Sequence, residues 1–313
     1  MQISGGVVLS GGVNLAPAGG SPSPSPSPGG VSNGYTTSST FIDKFPFASE
    51  GTATDIGDLT VTRGDGSGQS SSVSGYTSGG EAPANSNVID KFSFSVDGNA
   101  TDVGDLSIAR RELCGQYSSD NGYASGNNDN GPSGISIDKF PFSSDSNASN
   151  IGDMTISRDR TSGQSSSVSG YVSSGAPNTS PAQTNVIDKF PFASDSNATD
   201  VGDDVTSRHW VVGASSSNNG YVSGGFTTGV GVSNVISKFP FASDSNATDV
   251  GDLTAATYEG MAGQSSADNG YVSGGEAGSR VTTIQKFPFA SDSNATNVGN
   301  LTATTKPAAG QQG

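Results

Sequence analysis

The phrase KFPFASDSNATDVGDLT, intact at residues 238–254, constrains this chain more than any other feature. A near copy occupies 189–205, a copy with two changes occupies 286–302, and looser copies begin at Lys44, Lys91 and Lys139. Each is preceded by a Gly-Tyr pair, at Gly34, Gly75, Gly122, Gly170, Gly220 and Gly270, so the period is 41 to 50 residues. Most copies are followed by Gly-Gln: Gly68-Gln69, Gly115-Gln116, Gly163-Gln164 and Gly263-Gln264. Self-similarity at this period marks one supersecondary unit repeated, each burying its apolar face against the next.

Residues 220–269 show the unit. GYVSGG is a short strand stopped by Gly-Gly, and a loop of variable length follows. SNVISKFPFAS is the longest strand; its two-residue period puts Phe239 and Phe241 on one face. Pro240 between them has no amide to donate, which predicts a place for this strand toward the outside of its sheet. DSNATD is a turn of side chains that bond their own backbone. VGDLTA is a fourth strand, and AGQSSAD leads into the next Gly-Tyr. Apolar residues never recur with a helical period. Four antiparallel strands every forty to fifty residues predict β-propeller blades. The predicted fold is all-β, a six-bladed β-propeller over residues 34–313, with repeats starting at 34, 75, 122, 170, 220 and 270. Gly-Gln-Ser-Ser is small enough for the crowded inner strands. The first repeat lacks that strand, and the chain ends in Ala309-Gly310-Gln311-Gln312-Gly313, which matches it. The C-terminal strand is therefore expected to complete the first blade and close the ring, removing open sheet edges.

Two segments precede the repeats. Residues 1–15, MQISGGVVLSGGVNL, read as two short apolar strands that want a partner sheet, the alternative being a frayed terminus. Residues 16–33, APAGGSPSPSPSPGGVSN, form a Gly/Ser/Pro linker whose Ser-Pro alternation favours extended polyproline II. The expected roles are anchor and spacer. The formal charge is −15, with 14 basic residues scattered among 29 acidic ones, which argues against nucleic acid and anionic membranes as partners. No apolar run approaches the ~18 residues of a membrane helix. The start lacks the basic and long apolar regions of a secretory signal. The single cysteine, Cys114, excludes an internal disulfide and suits a small filler in an inner strand.

The order Arg, Gly-Gln-Ser-Ser, Gly-Tyr-Val-Ser-Gly-Gly, Phe strand resembles the kelch type of blade. Arg63, Arg110, Arg158 and Arg208 stand at its Arg place, and Gly79-Gly80, Gly224-Gly225 and Gly274-Gly275 at its Gly-Gly place. The chain departs from that pattern where Val-Gly-Asp-Leu replaces the Trp strand and where Thr257 and Thr305 replace the last two arginines.

Chemistry is sparse. His209 is the only histidine, which cannot supply the copper site of galactose oxidase, an enzyme with kelch-type blades. Serines without a base are not nucleophiles. An aspartate repeated in every blade is expected for structure, not catalysis, so the expectation is of no catalytic residue and no cofactor. Asp195, Asn197 and Asp200, like Asp244, Asn246 and Asp249, alternate oxygen ligands as calcium loops do, without the spacing and terminal Glu of an EF-hand. The competing reading is a hairpin capped by its own Asp and Asn side chains. Asn99, Asn197, Asn246 and Asn294 satisfy the glycosylation sequon through the repeat itself. The candidate binding residues lie in the variable loops: Trp210, His209, Phe226, Tyr258 and Arg111. Trp210, the only tryptophan, suits either stacking on a sugar ring or packing.

The near-identical KFPFASD-NATDVGDLT blades and the Gly-Gly N-terminal segment resemble virion structural proteins of tailed phages, especially those of marine bacteria and cyanobacteria. The resemblance implies a tail-fibre or appendage protein on the outside of the virion. It would dock on other virion proteins through residues 1–15, oligomerise (as a trimer among other states), and present its propeller to a host-surface glycan or protein. The alternatives are a capsid or neck decoration protein with no receptor, a polysaccharide-cleaving enzyme, and a bacterial surface adhesin.

Overall fold

A computed structural model of the chain describes residues 31–81, 83–127, 132–177, 182–304 and 306–313. The expected anchor, residues 1–15, and the linker up to residue 30 lie outside the described residues.

Each repeat forms the strands expected of it. Ser67–Ser70, Ser74–Ser78, Val88–Ser93 and Thr101–Asp105 make one antiparallel sheet in that order. Six such sheets surround a common axis as a six-bladed β-propeller. Blades are numbered here by their Gly-Tyr pair, blade 1 holding Gly34 and blade 6 holding Gly270. In blade 1 the strand Asn33–Pro46 doubles back on itself. Its Ser32 carbonyl side accepts from Phe47 N at 2.9 Å, and Gly34 lies under the Phe45 ring as Gly75 lies under Phe92 in blade 2. The innermost strand of blade 1 is the C-terminal Pro307–Gln312, with Gly34 opposite Gln312 and Tyr35 opposite Gln311. Residues 31–33, assigned to the linker by sequence, belong to this blade: Val31 packs on the core around Phe45 and Tyr271, and Ser32 and Asn33 donate to Gly313 O.

The Phe strand is not toward the outside. It is third of four, between the Tyr strand and the outermost one. Pro240 ends that strand opposite Asn219, whereas the outermost strand pairs only as far as Lys238 with Thr248. The proline therefore sits two residues beyond the end of the ladder that would have needed its amide.

The constant phrase is the contact between blades. Every blade's Tyr stacks on the second Phe of the next blade, from Tyr35 on Phe94 at 4.8 Å round to Tyr271 on Phe47 at 4.5 Å. The Lys of each phrase pairs with the acidic residue in the next blade's turn, from Lys44 with Asp97 at 2.9 Å round to Lys286 with Glu50. The Ala amide of each turn donates to the preceding blade, as Ala198 N does to Asp153 O at 2.8 Å. The Thr of Gly-Asp-Leu-Thr reaches the next blade's buried Asp: Thr60 Oγ1 is 2.6 Å from Asp90 Oδ1. Exposed ion pairs of this kind add at most about 1 kcal/mol each. The buried aromatic and backbone contacts carry the joint.

Two further rings surround the axis. Gln311, Gln69, Gln116, Gln164 and Gln264 each donate Nε2 to the Tyr carbonyl of the next blade at 2.9–3.1 Å. Blade 5 has Ala214 there, and Val212 fills the space where the other blades carry the amide. Innermost are Gly68, Gly115, Gly163, Gly213, Gly263 and Gly310. A Cβ built on each falls 2.0–2.3 Å from the carbonyl oxygen of its neighbour, in an unbroken circle. An axial cavity of about 120 Å³ follows these strands, crossed near one end by the Tyr117 hydroxyl bonded to Gln312 Nε2.

Four blades bury an Arg with a carboxylate counterion, and blade 6 buries neither charge. Arg63, Arg110 and Arg158 pair with Asp90, Asp138 and Asp188 at 2.9–3.1 Å, all with fully buried side chains. In blade 5 Ser237 replaces that aspartate, and Asp204, where other blades have Leu or Met, supplies the carboxylate to Arg208 Nε at 2.8 Å. In blade 6 both charges are gone: Thr257 stands for Arg, and Gln285 Oε1 accepts from Thr254 N and Oγ1 at 2.7 and 2.8 Å.

Candidate functional site: the axial mouth

The ring has two unlike faces. The hairpins joining inner strand to Tyr strand, such as Ser71–Ser74, and the DSN turns lie at one end of the strands. Ser71 Oγ, Ser118 Oγ, Ser166 Oγ, Ser216 Oγ and Ser266 Oγ close these hairpins alike. Both chain ends of the described ring, Val31 and Gly313, are on this constant face. The variable loops, which enter the inner strands and follow Gly-Gly, lie at the other end, about 17 Å away along a five-residue strand.

At that second face the loops converge on the axis. Two residues after the Arg place, Asp65, Glu112, Arg160 and Trp210 have φ of 55°, 58°, 54° and 57°, and Glu259 has 38°. This conformation costs roughly 1–2 kcal/mol per non-glycine residue. Backbone bonds hold it in place: Glu112 N donates to Asp65 O, Arg160 N to Glu112 O and Trp210 N to Arg160 O, at 2.8–2.9 Å. The side chains form a rosette around a small cavity floored by Leu113, Val211, Met261 and Pro307. Arg160 Nε lies 3.0 Å from Glu112 Oε2, and Lys306 bridges Asp65 and Glu259, the latter at 3.1 Å. The Arg160 and Lys306 cations sit 4.8 and 5.0 Å from the Trp210 ring centroid, within cation–π range. Burial pushes the Asp159 carboxyl up to about 7 against the pull of Arg160, with Glu112 adding to the rise. Burial first and Arg160 second push His209 down to about 4, so its imidazole is neutral at pH 7.

The structure brings four of the five loop candidates into one sector of this mouth. His209 and Phe226 pair as an isolated bridge with rings 5.7 Å apart, Phe226 and Tyr258 rings are 5.9 Å apart, and Trp210 follows His209 over the axis. Arg111 lies on the same face but at the joint of blades 2 and 3, across the ring from that cluster, paired with Glu81 and 3.9 Å from Glu112. Sequence reasoning missed Asp65, Arg160, Lys306, Glu276 and Arg280. The signal for the first two was their shared offset from the Arg place, visible only once the repeats are aligned.

The oxygen-rich turns are engaged elsewhere. Asp195 pairs with Lys139, and Asp244 with Lys189 at 2.9 Å. Asn197 Oδ1 and Asn246 Oδ1 accept from Asp153 N and Asp203 N of the preceding blades, at 3.1 and 3.0 Å. Asp200 and Asp249 each cap the amide two residues on, Gly202 and Gly251, at 3.1 Å. Among the described residues no three His, Cys, Asp or Glu side chains converge as metal ligands. The sequon asparagines are thus joints between blades, with Asn99 and Asn294 accepting from Asp58 N and Asp252 N at 3.0 Å.

The fold and the mouth together define a class, a six-bladed β-propeller with one constant and one variable face. No protein-family model matches the chain, and no curated protein matches it by sequence. The likenesses to kelch blades and to phage virion proteins therefore rest on sequence pattern alone.

Proposed function

We propose that this chain is a non-catalytic virion component of the tail-fibre type, which docks through its N-terminal segment and presents the axial mouth to a host surface. The observation that carries this reading is the opposition of the two faces. The chain enters the ring at Val31 on the constant face, and the variable loops stand on the far one. A protein tethered by residues before Val31 offers its variable side outward. The constant phrase needs no other explanation than holding blades together, which leaves the loops as the surface free to vary for recognition.

The test is a truncation after residue 30, the last before the sheet. Virions assembled with only the shortened chain available are expected to lack it, while the isolated ring keeps its melting temperature and still adsorbs to host cells. Shortened chain retained on particles at the wild-type level contradicts docking through that segment.

A further inference from the structure

Among the described residues, one sector of the mouth carries an element of its own. Phe226–Thr227 and Gly231–Val232 form the one two-stranded ribbon among the described residues that stands off the blades. Its tip carries Val230, 86% exposed, and a Cβ built on Gly229 or Gly231 meets nothing within 4 Å. The ribbon projects into solvent with an aromatic base. Phe226, half-buried, is wedged between the rings of His209 and Tyr258. The Tyr258 hydroxyl bonds Glu276 Oε1 at 3.1 Å, and Glu276 Oε2 has no partner among the described residues. On its blade 4 side the ribbon is held by Gln183, whose Oε1 accepts from Thr228 N at 2.9 Å.

The charges nearby are already matched. Arg280 pairs with Glu259, Lys306 with Asp65 and Glu259, and Arg160 with Glu112. With His209 neutral, the described residues of the sector include no unmatched cation to recruit an anionic ligand. The remaining acidic excess, in a chain of formal charge −15, repels one. What remains unused is aromatic surface beside hydrogen-bonding groups. That combination suits a ring with an apolar C–H face and hydroxyls at its edge.

We infer that the sector formed by Phe226, Tyr258, His209 and Glu276 binds an uncharged saccharide. The sugar ring stacks on Phe226 and Tyr258, and its hydroxyls donate to Glu276 Oε2. This rests on the attachment reading above and names its ligand class.

Trp210 is the only tryptophan and adjoins His209, so its emission reports on the site. The full chain is titrated with neutral oligosaccharides of glucose, galactose and mannose, and with a galacturonate oligomer. The expected result is a saturable emission change with at least one neutral oligomer and none with the uronate. Phe226→Ala and Tyr258→Ala weaken binding at least ten-fold, while Tyr258→Phe, which keeps the ring, stays within three-fold of wild type. Silence with every neutral sugar, a uronate bound as tightly, or unchanged binding by both alanine variants overturns the inference. A parallel arm measures retention of the same proteins on host cell envelopes. Wild type and alanine variants retained equally refutes this sector and leaves attachment standing. Wild type not retained refutes attachment, and the saccharide site with it.

Discussion

Alanine in place of Gly163 is expected to destabilise the ring by about 3 kcal/mol, the upper end for an overpacked core. The added methyl would lie 2.1 Å from Gly115 O, in backbone fixed on both sides by its blade. Neither neighbour has room to yield, because the six inner glycines form a closed circle and each shift is passed to the next. Gly98 supplies the comparison. It sits in an exposed turn where a built Cβ meets nothing within 4 Å, so Gly98→Ala is expected to change stability by under about 0.5 kcal/mol. Denaturant midpoints of the two variants check this. Equal midpoints would mean that the inner strands are not packed around an axis as described.

The second large effect separates two aspartates at equivalent positions. Asp188 answers the buried Arg158 guanidinium at 3.1 Å and accepts Thr155 N and Oγ1 at 3.0 and 2.6 Å. Asp188→Asn leaves that guanidinium buried without its countercharge and is expected to cost about 3–5 kcal/mol. Asp43 in blade 1 accepts the same two donors, Thr302 N and Oγ1, at 2.9 and 2.6 Å, but the Arg place is Thr305, outside the described residues. Burial raises the Asp43 carboxyl above its ordinary range, a rise only partly opposed by the Thr302 bonds. A carboxyl whose pKa is higher folded than unfolded favours folding when protonated. That contribution is complete below the unfolded value, about 3.9, and is lost as pH rises through the folded one. Asp43→Asn is therefore expected to leave stability unchanged or raise it at pH 7, with the difference vanishing below about pH 4. Gln285 shows that a neutral amide serves this place in a blade without the arginine. Urea denaturation of both variants at pH 4 and pH 7 decides the matter. A loss of several kcal/mol in Asp43→Asn at pH 7 would show that an unidentified cation answers Asp43.

Much of the ring is legible in the sequence because its contacts repeat. A Lys and two Phe at fixed offsets in six copies, each preceded by a Gly-Tyr across a loop of varying length, announce that each blade meets its neighbour in the same way. The match between the missing inner strand of the first repeat and the AGQQG terminus announces the closure. The place of the Phe strand was misread because Pro240 was judged by its missing amide alone. Its position two residues past the outer ladder depends on where that ladder stops, which is a matter of register. The Asp and Asn of the turns look alike in sequence whether they hold an ion or a neighbouring backbone, since both uses need oxygens at alternate positions. Only the packing of one turn against the preceding blade tells them apart. At the mouth, His209, Trp210, Phe226 and Tyr258 stood out as large residues among small ones. The partners that order them, Arg160, Lys306 and Glu276, are ordinary surface charges until the ring brings distant loops over one axis.

The central claim is that recognition belongs to the variable face and attachment to the constant one. Its most direct test is amide exchange of the whole chain, alone and bound to host cell envelopes. The account predicts new protection in residues 204–211, 224–234 and 257–260, around the axial mouth, with the Ser71–Ser74 hairpin and its counterparts unchanged. Protection confined to those hairpins and the DSN turns, or no new protection in bound protein, would contradict it.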